Sequence, residues 1–225
     1  MGANCRLLLI EDDHALRSSL RLALSDEGFT VLEAGTGRGG LMRLDLLPDA
    51  VLVDLGLPDM DGIEVCRRIR ATVGIPLVII SARTGAESVD AAFAAGADDF
   101  VPKPFDVTEL AAGVRALLQP PRRPEHWDSD RLSGLELLPV DDAVRARGRH
   151  ITLTRTEFRL LCELAAQPGR PIPTRELLRR VWGRDSVAVR PALEARISSL
   201  SNELHAGDTT TPCITSVVDG YELRA

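Results

Sequence analysis

Residues Val51 to Gly62 read VLVDLGLPDMDG. Three apolar side chains deliver a single carboxylate, Asp54, at the end of what reads as a short buried strand. A Leu-Pro-Asp-Met-Asp-Gly stretch then turns the chain toward a helix. In an open α/β sheet, ligands and chemistry collect at the carboxyl ends of the strands. The partners of Asp54 are therefore to be sought at the ends of the other strands.

Outward from this stretch, the first half alternates apolar strands with helical segments. Strands are expected at Arg6 to Ile10, Phe29 to Ala34, Val51 to Asp54, Pro76 to Ser81 and Asp99 to Val101. The helices between and after them run from Ala15 to Ser25, Gly40 to Leu47, Ile63 to Ala71, Glu87 to Ala95 and Val107 to Leu118. Strict alternation of this kind implies a parallel sheet with helices on both faces, the flavodoxin-like doubly wound α/β arrangement.

The length of 225 residues, 44% of them apolar, suits two ordinary domains with real cores. No run approaches the roughly 18 apolar residues of a membrane helix. The start, MGANCRLLLIEDD, meets acids too soon for a signal peptide, so a cytoplasmic protein with no membrane partner is expected. Cys5, Cys66, Cys162 and Cys213 are far apart and form no CxxC pair, which suits small hydrophobes in a reduced compartment. The four histidines are equally scattered, so no zinc site is expected. Residues 1–120 carry 11 basic and 18 acidic side chains, and residues 125–225 carry 14 and 15. Neither half is a strongly basic nucleic-acid binder. Between them QPPRRPEHWDSD breaks both periodicities as a linker does, giving domains at 1–120 and 131–225 joined by 121–130.

The strand ends gather a consistent chemistry. The first ends in Glu11, Asp12 and Asp13, the third in Asp54 and the fourth in Ser81, and the fifth is followed by Lys103, Pro104 and Phe105. Carboxylates from two strand ends supply the hard oxygen ligands that Mg²⁺ prefers, and that ion commonly holds phosphate oxygens as well. A hydroxyl and a lysine would complete a phosphate-sized pocket. Lys103 is the only lysine among 27 basic residues, so a compact point charge is selected there. The sequence also holds a decoy: Gly35 to Gly40 satisfies the GxGxxG dinucleotide pattern. It follows the second strand, and the acid cluster on the first would repel a pyrophosphate, so a small-residue loop is the better reading.

The segments LLLIEDD, VLVDLGLPDMDG, PLVIISA and AGADDFVPKPF together resemble the receiver domain of two-component response regulators. The resemblance implies that Asp54 is the phosphoacceptor, and that Asp12, Asp54 and the Gly56 carbonyl bind Mg²⁺ directly with Glu11 acting through water. It further implies that Ser81 and Lys103 bind the phosphoryl oxygens, that the Lys103 to Pro104 peptide is cis, which proline makes accessible, and that Phe100 and Pro104 belong to the switch. A sensor histidine kinase would be the donor. The chain would be no enzyme beyond accepting the group and slowly losing it.

In the second half, LELLPVDDAVRARGRHITLT alternates like short antiparallel strands. Thr154 and Glu157 form a capping box for a helix to Ala166. Thr174 is expected to cap a shorter helix ending at Trp182. From Pro191, Leu193, Ile197, Leu200 and Leu204 mark one face of a third helix, and CITSVVDGYELRA reads as a closing hairpin. This smaller α+β unit resembles the winged-helix effector of OmpR/PhoB-type regulators, through LTRTEFRLLCELAAQPGRPIPTRELLRRVWG. The resemblance implies promoter DNA as the ligand, with the third helix in the major groove and the hairpin in the minor groove. It also suggests contact with RNA polymerase and a homodimer through the fourth helix, fifth strand and fifth helix.

The third helix departs from the family pattern, offering only Arg196 against Glu194 and Glu203. Serine and asparagine also read bases, so the expected DNA contacts are Arg184, Arg190, Arg196, Ser198, Ser199, Ser201 and Asn202. In the hairpin, Val218 and Asp219 stand where an arginine-glycine pair is usual, followed by the acid Glu222. The dimer face lacks basic residues from Thr84 to Pro102, leaving Arg115 as the one partner for Asp98 or Asp99, with Val89 and Phe93 as apolar contacts. The alternative reading is a regulator whose winged helix acts mainly through protein or RNA partners, with little DNA affinity.

Overall fold

In a computed structural model of the chain, the described residues are 5–120, 135–138, 142–146, 148–184, 190–205 and 213–224, with the side chain of 205 excepted. They fall into two compact units, Met1–Leu118 and Gln119–Ala225. The expected linker at 121–130 lies outside the described residues.

The first unit follows the alternation read from the sequence. Strands β1 (Arg6–Ile10), β2 (Thr30–Ala34), β3 (Ala50–Asp54), β4 (Leu77–Ser81) and β5 (Asp99–Pro102) alternate with α1 (His14–Asp26), α2 (Gly37–Met42), α3 (Gly62–Thr72), α4 (Ala86–Ala94) and α5 (Val107–Leu118). All strand pairs are parallel, in the order β2-β1-β3-β4-β5. β1, β3 and β4 bury nearly every side chain, which is why they read as continuous apolar runs. The order reverses direction between β1 and β3, and such a switch point opens a crevice at the carboxyl ends. Asp54 lies there.

The glycine-rich segment 35–40 is explained by packing. Helix α2 begins at Gly37, earlier than the periodicity suggested, and passes at Arg43–Leu46 into a 3₁₀ turn ended by left-handed Leu47. A Cβ on Gly40 would lie 2.2 Å from the Ile10 Cδ1, and one on Gly37 would lie 2.5 Å from the Met60 Cγ. The helix start is already occupied: Asp59 accepts from the N–H groups of Gly37 (2.8 Å) and Arg38 (3.0 Å), and Thr36 accepts from Gly39 (3.0 Å). A carboxylate stands where a dinucleotide motif would hold a pyrophosphate. The amide hydrogen bonds of Arg38 and Gly37 hold the Asp59 carboxyl below its ordinary value, with burial opposing.

The second unit has an antiparallel sheet of β6 (Leu135–Leu138), β7 (Ala143–Ala146) and β8 (Arg149–Thr152), then α6 (Arg155–Ala165), β9 (Ile172–Pro173), α7 (Thr174–Trp182) and α8 (Arg190–His205). The hairpin β10 (Cys213–Val217) and β11 (Gly220–Arg224) pairs with β9. The capping box of Thr154 and Glu157 is present. Thr174, expected as a cap, is instead the first residue of α7; Pro173 occupies the cap position and α7 has no side-chain cap. The N–H of Thr174 is taken by the Asp219 carbonyl of the hairpin turn (2.8 Å), so β-pairing fixes the helix start. Phe158 and Trp182 are fully buried and centre this core. Among the described residues, no helix is long and apolar enough to cross a membrane.

Candidate phosphoacceptor site and the effector surface

Parallel register brings the polar strand ends together. Asp54 pairs with Ile80 and Ser81 with Pro102, so Asp54, Ser81 and Lys103 follow one another along the same sheet edge. The three acids after β1 take two different tasks. Asp13 caps α1, accepting from the N–H groups of Ala15 (2.8 Å) and Leu16 (3.0 Å), and those bonds lower its carboxyl below the ordinary value. Glu11 and Asp12 remain, and with Asp54 they bring carboxylate oxygens within 4.8 Å of one another. Three hard oxygen donors so close can hold a divalent cation.

Lys103 spans the cluster. Its ammonium donates to the Glu11 Oε2 (2.7 Å) and the Asp54 Oδ2 (2.8 Å). Burial pulls the lysine down, but hydrogen bonds to both carboxylates outweigh this and hold it above its ordinary value. Glu11 is displaced upward, first by its own burial and further by the charge of Asp54, while the Lys103 hydrogen bond opposes. Asp54 is only 8% exposed. The Ser81 hydroxyl is buried beside it in the sheet order and accepts from the Arg83 N–H (3.0 Å). Gly56 leaves open space, since an added Cβ would meet only the Asp54 Oδ2, at 3.6 Å. The Lys103–Pro104 peptide is cis. Phe100 is buried and Pro104 exposed.

Arg17 was not singled out from the sequence. One turn along α1 from Asp13, its guanidinium donates to the carbonyls of Glu11 (2.6 Å) and Asp12 (3.1 Å), fixing the loop that aims both acids at Asp54. A lone arginine on an amphipathic helix carries no signal of that contact. Gly62 is the other omission: a Cβ there would lie 2.3 Å from the Asp54 carbonyl oxygen and 2.6 Å from the Leu55 Cα. Backbone cannot yield as a side-chain tip does. Gly62→Ala is expected to cost about 1–3 kcal/mol by overpacking, measured by urea denaturation, and to lower phosphoryl incorporation at Asp54. An unchanged midpoint would show that the α3 start can shift freely.

Cys66 and Cys162 are buried, which pushes both thiols up to about 12, so neither is a ready nucleophile.

Comparison with known proteins identifies the architecture. Residues 7–115 match the response regulator receiver domain, and residues 148–223 match the C-terminal domain of transcriptional regulatory proteins. The response regulator MprA of Mycobacterium sp. strain KMS is 40% identical over 226 residues, covering 97% of both chains. The chain belongs to the OmpR/PhoB-type response regulators. MprA of Mycobacterium tuberculosis strain H37Rv is 38% identical with the same coverage. Among solved structures, a mutant form of RitR has a TM-score of 0.73 at 22% identity, covering 97% of this chain and 98% of that one. DrrB of Thermotoga maritima, an OmpR/PhoB homologue, has a TM-score of 0.50 at 24% identity, covering 99% and 100%. These two likenesses support the fold.

The regulator therefore has a receiver followed by a DNA-binding effector domain, families of transcription control and not of enzymes. On the effector, the structure changes the expected contacts. Arg196 does not face outward: it is 5% exposed and lies 3.4 Å from the Glu157 Oε1, beneath α8. The apolar residues Leu193, Ile197, Leu200 and Leu204 are buried as their spacing predicts, and Arg196 sits among them at helical spacing from Leu193 and Leu200. The exposed face of α8 carries Arg190 at its first residue, then Glu194, Ser198, Asn202 and Glu203, with Ser199 and Ser201 half-buried. Arg184 is half-buried ahead of it. In the hairpin turn Val218 is 94% exposed, whereas Glu222 is buried and paired with Arg224, so that acid does not face a ligand.

The expected charges of the dimer face are also redistributed. Asp98 is buried, accepting from the Leu77 N–H (2.9 Å) and Arg70 (2.6 Å). Asp99 is buried too, and Phe93 lies in the core. Arg115 turns the other way, bonding the Glu27 carboxylate (2.8 Å) and carbonyl and standing over the Phe29 ring. The Arg115 to Asp98 or Asp99 pairing is therefore not available.

Proposed function

We propose that Asp54 accepts a phosphoryl group from a sensor histidine kinase and that the product controls binding of promoter DNA by the effector domain. The observation that carries this reading is the meeting of Asp54 with Glu11, Asp12 and Lys103 at one sheet edge. A carboxylate is a weak nucleophile toward phosphorus, so positioning and charge neutralisation must lower the barrier. An Asp54 oxygen bonds to phosphorus as the donor's bond to it breaks, leaving an acyl phosphate. Lys103 supplies a fixed positive charge beside that group, and Ser81 a hydroxyl donor. Mg²⁺ is the cation these donors fit; Asp12, Asp54 and the Gly56 carbonyl would hold it, with Glu11 acting through water, and when bound it would neutralise phosphoryl oxygens. An apolar groove of about 530 Å³ lined by Leu16, Leu20, Ala23 and Phe105 opens beside Lys103 and offers a protein donor a surface to rest on.

The product carries nearly two negative charges and re-forms the hydrogen bonds around it. Ser81, Phe100 and Pro104 are the residues placed to pass that change outward. The receiver spans 1–120, the linker 121–130 and the effector 131–225, in a cytoplasmic protein acting as a homodimer through α4, β5 and α5. That interface would rest on Val89 and the exposed alanines of α4 and α5 more than on ion pairs. Arg184, Arg190, Ser198, Ser199, Ser201 and Asn202 are the proposed DNA contacts, and RNA polymerase a further partner.

Binding of the full-length protein to random-sequence duplex DNA at low salt, with and without Mg²⁺ and a small phosphodonor, tests the reading. Saturable binding that strengthens with donor and weakens with salt is expected. A second reading, in which the winged helix acts through protein or RNA partners, is favoured by the neutral-to-acidic face of α8. It would be supported by phosphorylated protein that binds no duplex.

A further inference from the structure

Among the described residues of the effector, some arginines are held by carboxylates and others are not. Arg145, Arg180 and Arg196 are engaged by Glu136 (2.6 Å), Glu163 (2.9 Å) and Glu157 (3.4 Å). By contrast Arg170, Arg175 and Arg179 are exposed, and no carboxylate pairs with them. Arg175 and Arg179 stand four residues apart on α7, so their side chains are neighbours on one helix face. The acid between them does not cancel their charge, because Glu176 is bonded to Arg180. Arg170 lies just ahead, on the segment that leads through β9 into α7.

We infer that this α7 row, Arg175 and Arg179 with Arg170 before it, holds the nucleic-acid phosphates that α8 is not equipped to hold. The inference rests on the DNA-binding reading above and deepens it. A guanidinium already bonded to a carboxylate must break that bond before it can grip a phosphate, whereas a solvated one exchanges only water and counterions. Among its described side chains α8 has one exposed cation, Arg190, against Glu194 and Glu203, so its phosphate attraction is nearly cancelled. In helix-turn-helix proteins the helix before the reading helix crosses the phosphate backbone. Positioning thus falls to α7, while Ser198 and Asn202 on α8 are left to read base edges.

The test is the salt dependence of duplex binding by full-length protein in Mg²⁺ and phosphodonor, between 50 and 200 mM salt. R175A/R179A is compared with wild type and with R145A, which removes a paired arginine. Each lost phosphate contact flattens the slope of log K against log salt by about 0.9, so the double variant should be flatter by about 2 and bind about tenfold more weakly at the low-salt end. R145A should match wild type, and melting temperatures should stay unchanged, since the α7 pair is exposed. A wild-type slope in R175A/R179A overturns the inference, as does an equal loss in R145A, which would mean that only net charge matters. Failure of wild-type protein phosphorylated at Asp54 to bind any duplex overturns the DNA reading itself, and the α7 assignment with it.

Discussion

Asp54→Asn is expected to reduce phosphoryl incorporation from a small donor to background, where wild-type protein takes up one group per chain in Mg²⁺. The amide has nearly the shape of the carboxylate but no anionic oxygen to bond phosphorus, so the chemical step is lost rather than slowed. Glu11 and Asp13 are already engaged. Glu11 is buried and bonded to Lys103, and Asp13 spends its oxygen on the α1 amides. The fold should survive, because Asp54 is one of three crowded carboxylates, and its charge is among the causes that raise Glu11. Removing it relieves repulsion while Lys103 keeps Glu11 as partner. Mg²⁺ affinity should fall as well, since one of three donors is gone. Intact-mass measurement after donor treatment reads the result directly, and a full phosphoryl adduct on the variant would overturn the assignment of Asp54.

Arg196→Met is expected to destabilise the effector domain by about 3 kcal/mol, the cost of leaving one member of a buried ion pair alone. Its partner Glu157 is 4% exposed and, among the described residues, keeps the Thr154 N–H (2.9 Å) and hydroxyl (2.8 Å) of the capping box. For a domain of this size the loss corresponds to a drop in melting temperature on the order of 15 °C. Glu157→Gln keeps the cap geometry without the charge, so the double variant should recover most of the loss, and a double-mutant cycle isolates the coupling. An arginine that touched DNA would behave in the opposite way: melting would hold and the salt slope would flatten. Unchanged stability in Arg196→Met would therefore return the residue to the DNA-binding surface.

Much of the receiver was legible because its signals are local. Short apolar runs between turn residues placed β1, β3 and β4, mixed segments between helical stretches placed β2 and β5, and strict alternation gave the parallel sheet. The acids, Ser81 and Lys103 could be collected at one edge because each follows a strand. Helix α2 was less legible, since Gly37, Gly39 and Gly40 give it little apolar periodicity; Asp59, 22 residues from Gly37 in the chain, joins the cap Thr36 in accepting its first amides. Thr174 was misread because a threonine before an apolar helical run resembles a cap, whereas pairing with the hairpin sets where α7 begins.

The sequence by itself determined the alternation, the order of the strand-end residues and the apolar face of α8, because period and chain order are properties of neighbouring residues. Only tertiary structure decided which charged residues are structural. Arg196, Asp98, Asp99 and Glu222 read as surface charges in the chain, yet each is buried beside a partner 2 to 39 residues away or held within the core. Arg175 and Arg179 carry the same side chain and remain in water. Burying a charge is tolerated only where an opposite charge or hydrogen-bond donor meets it, and that meeting depends on how the elements pack, not on the identity of the residue.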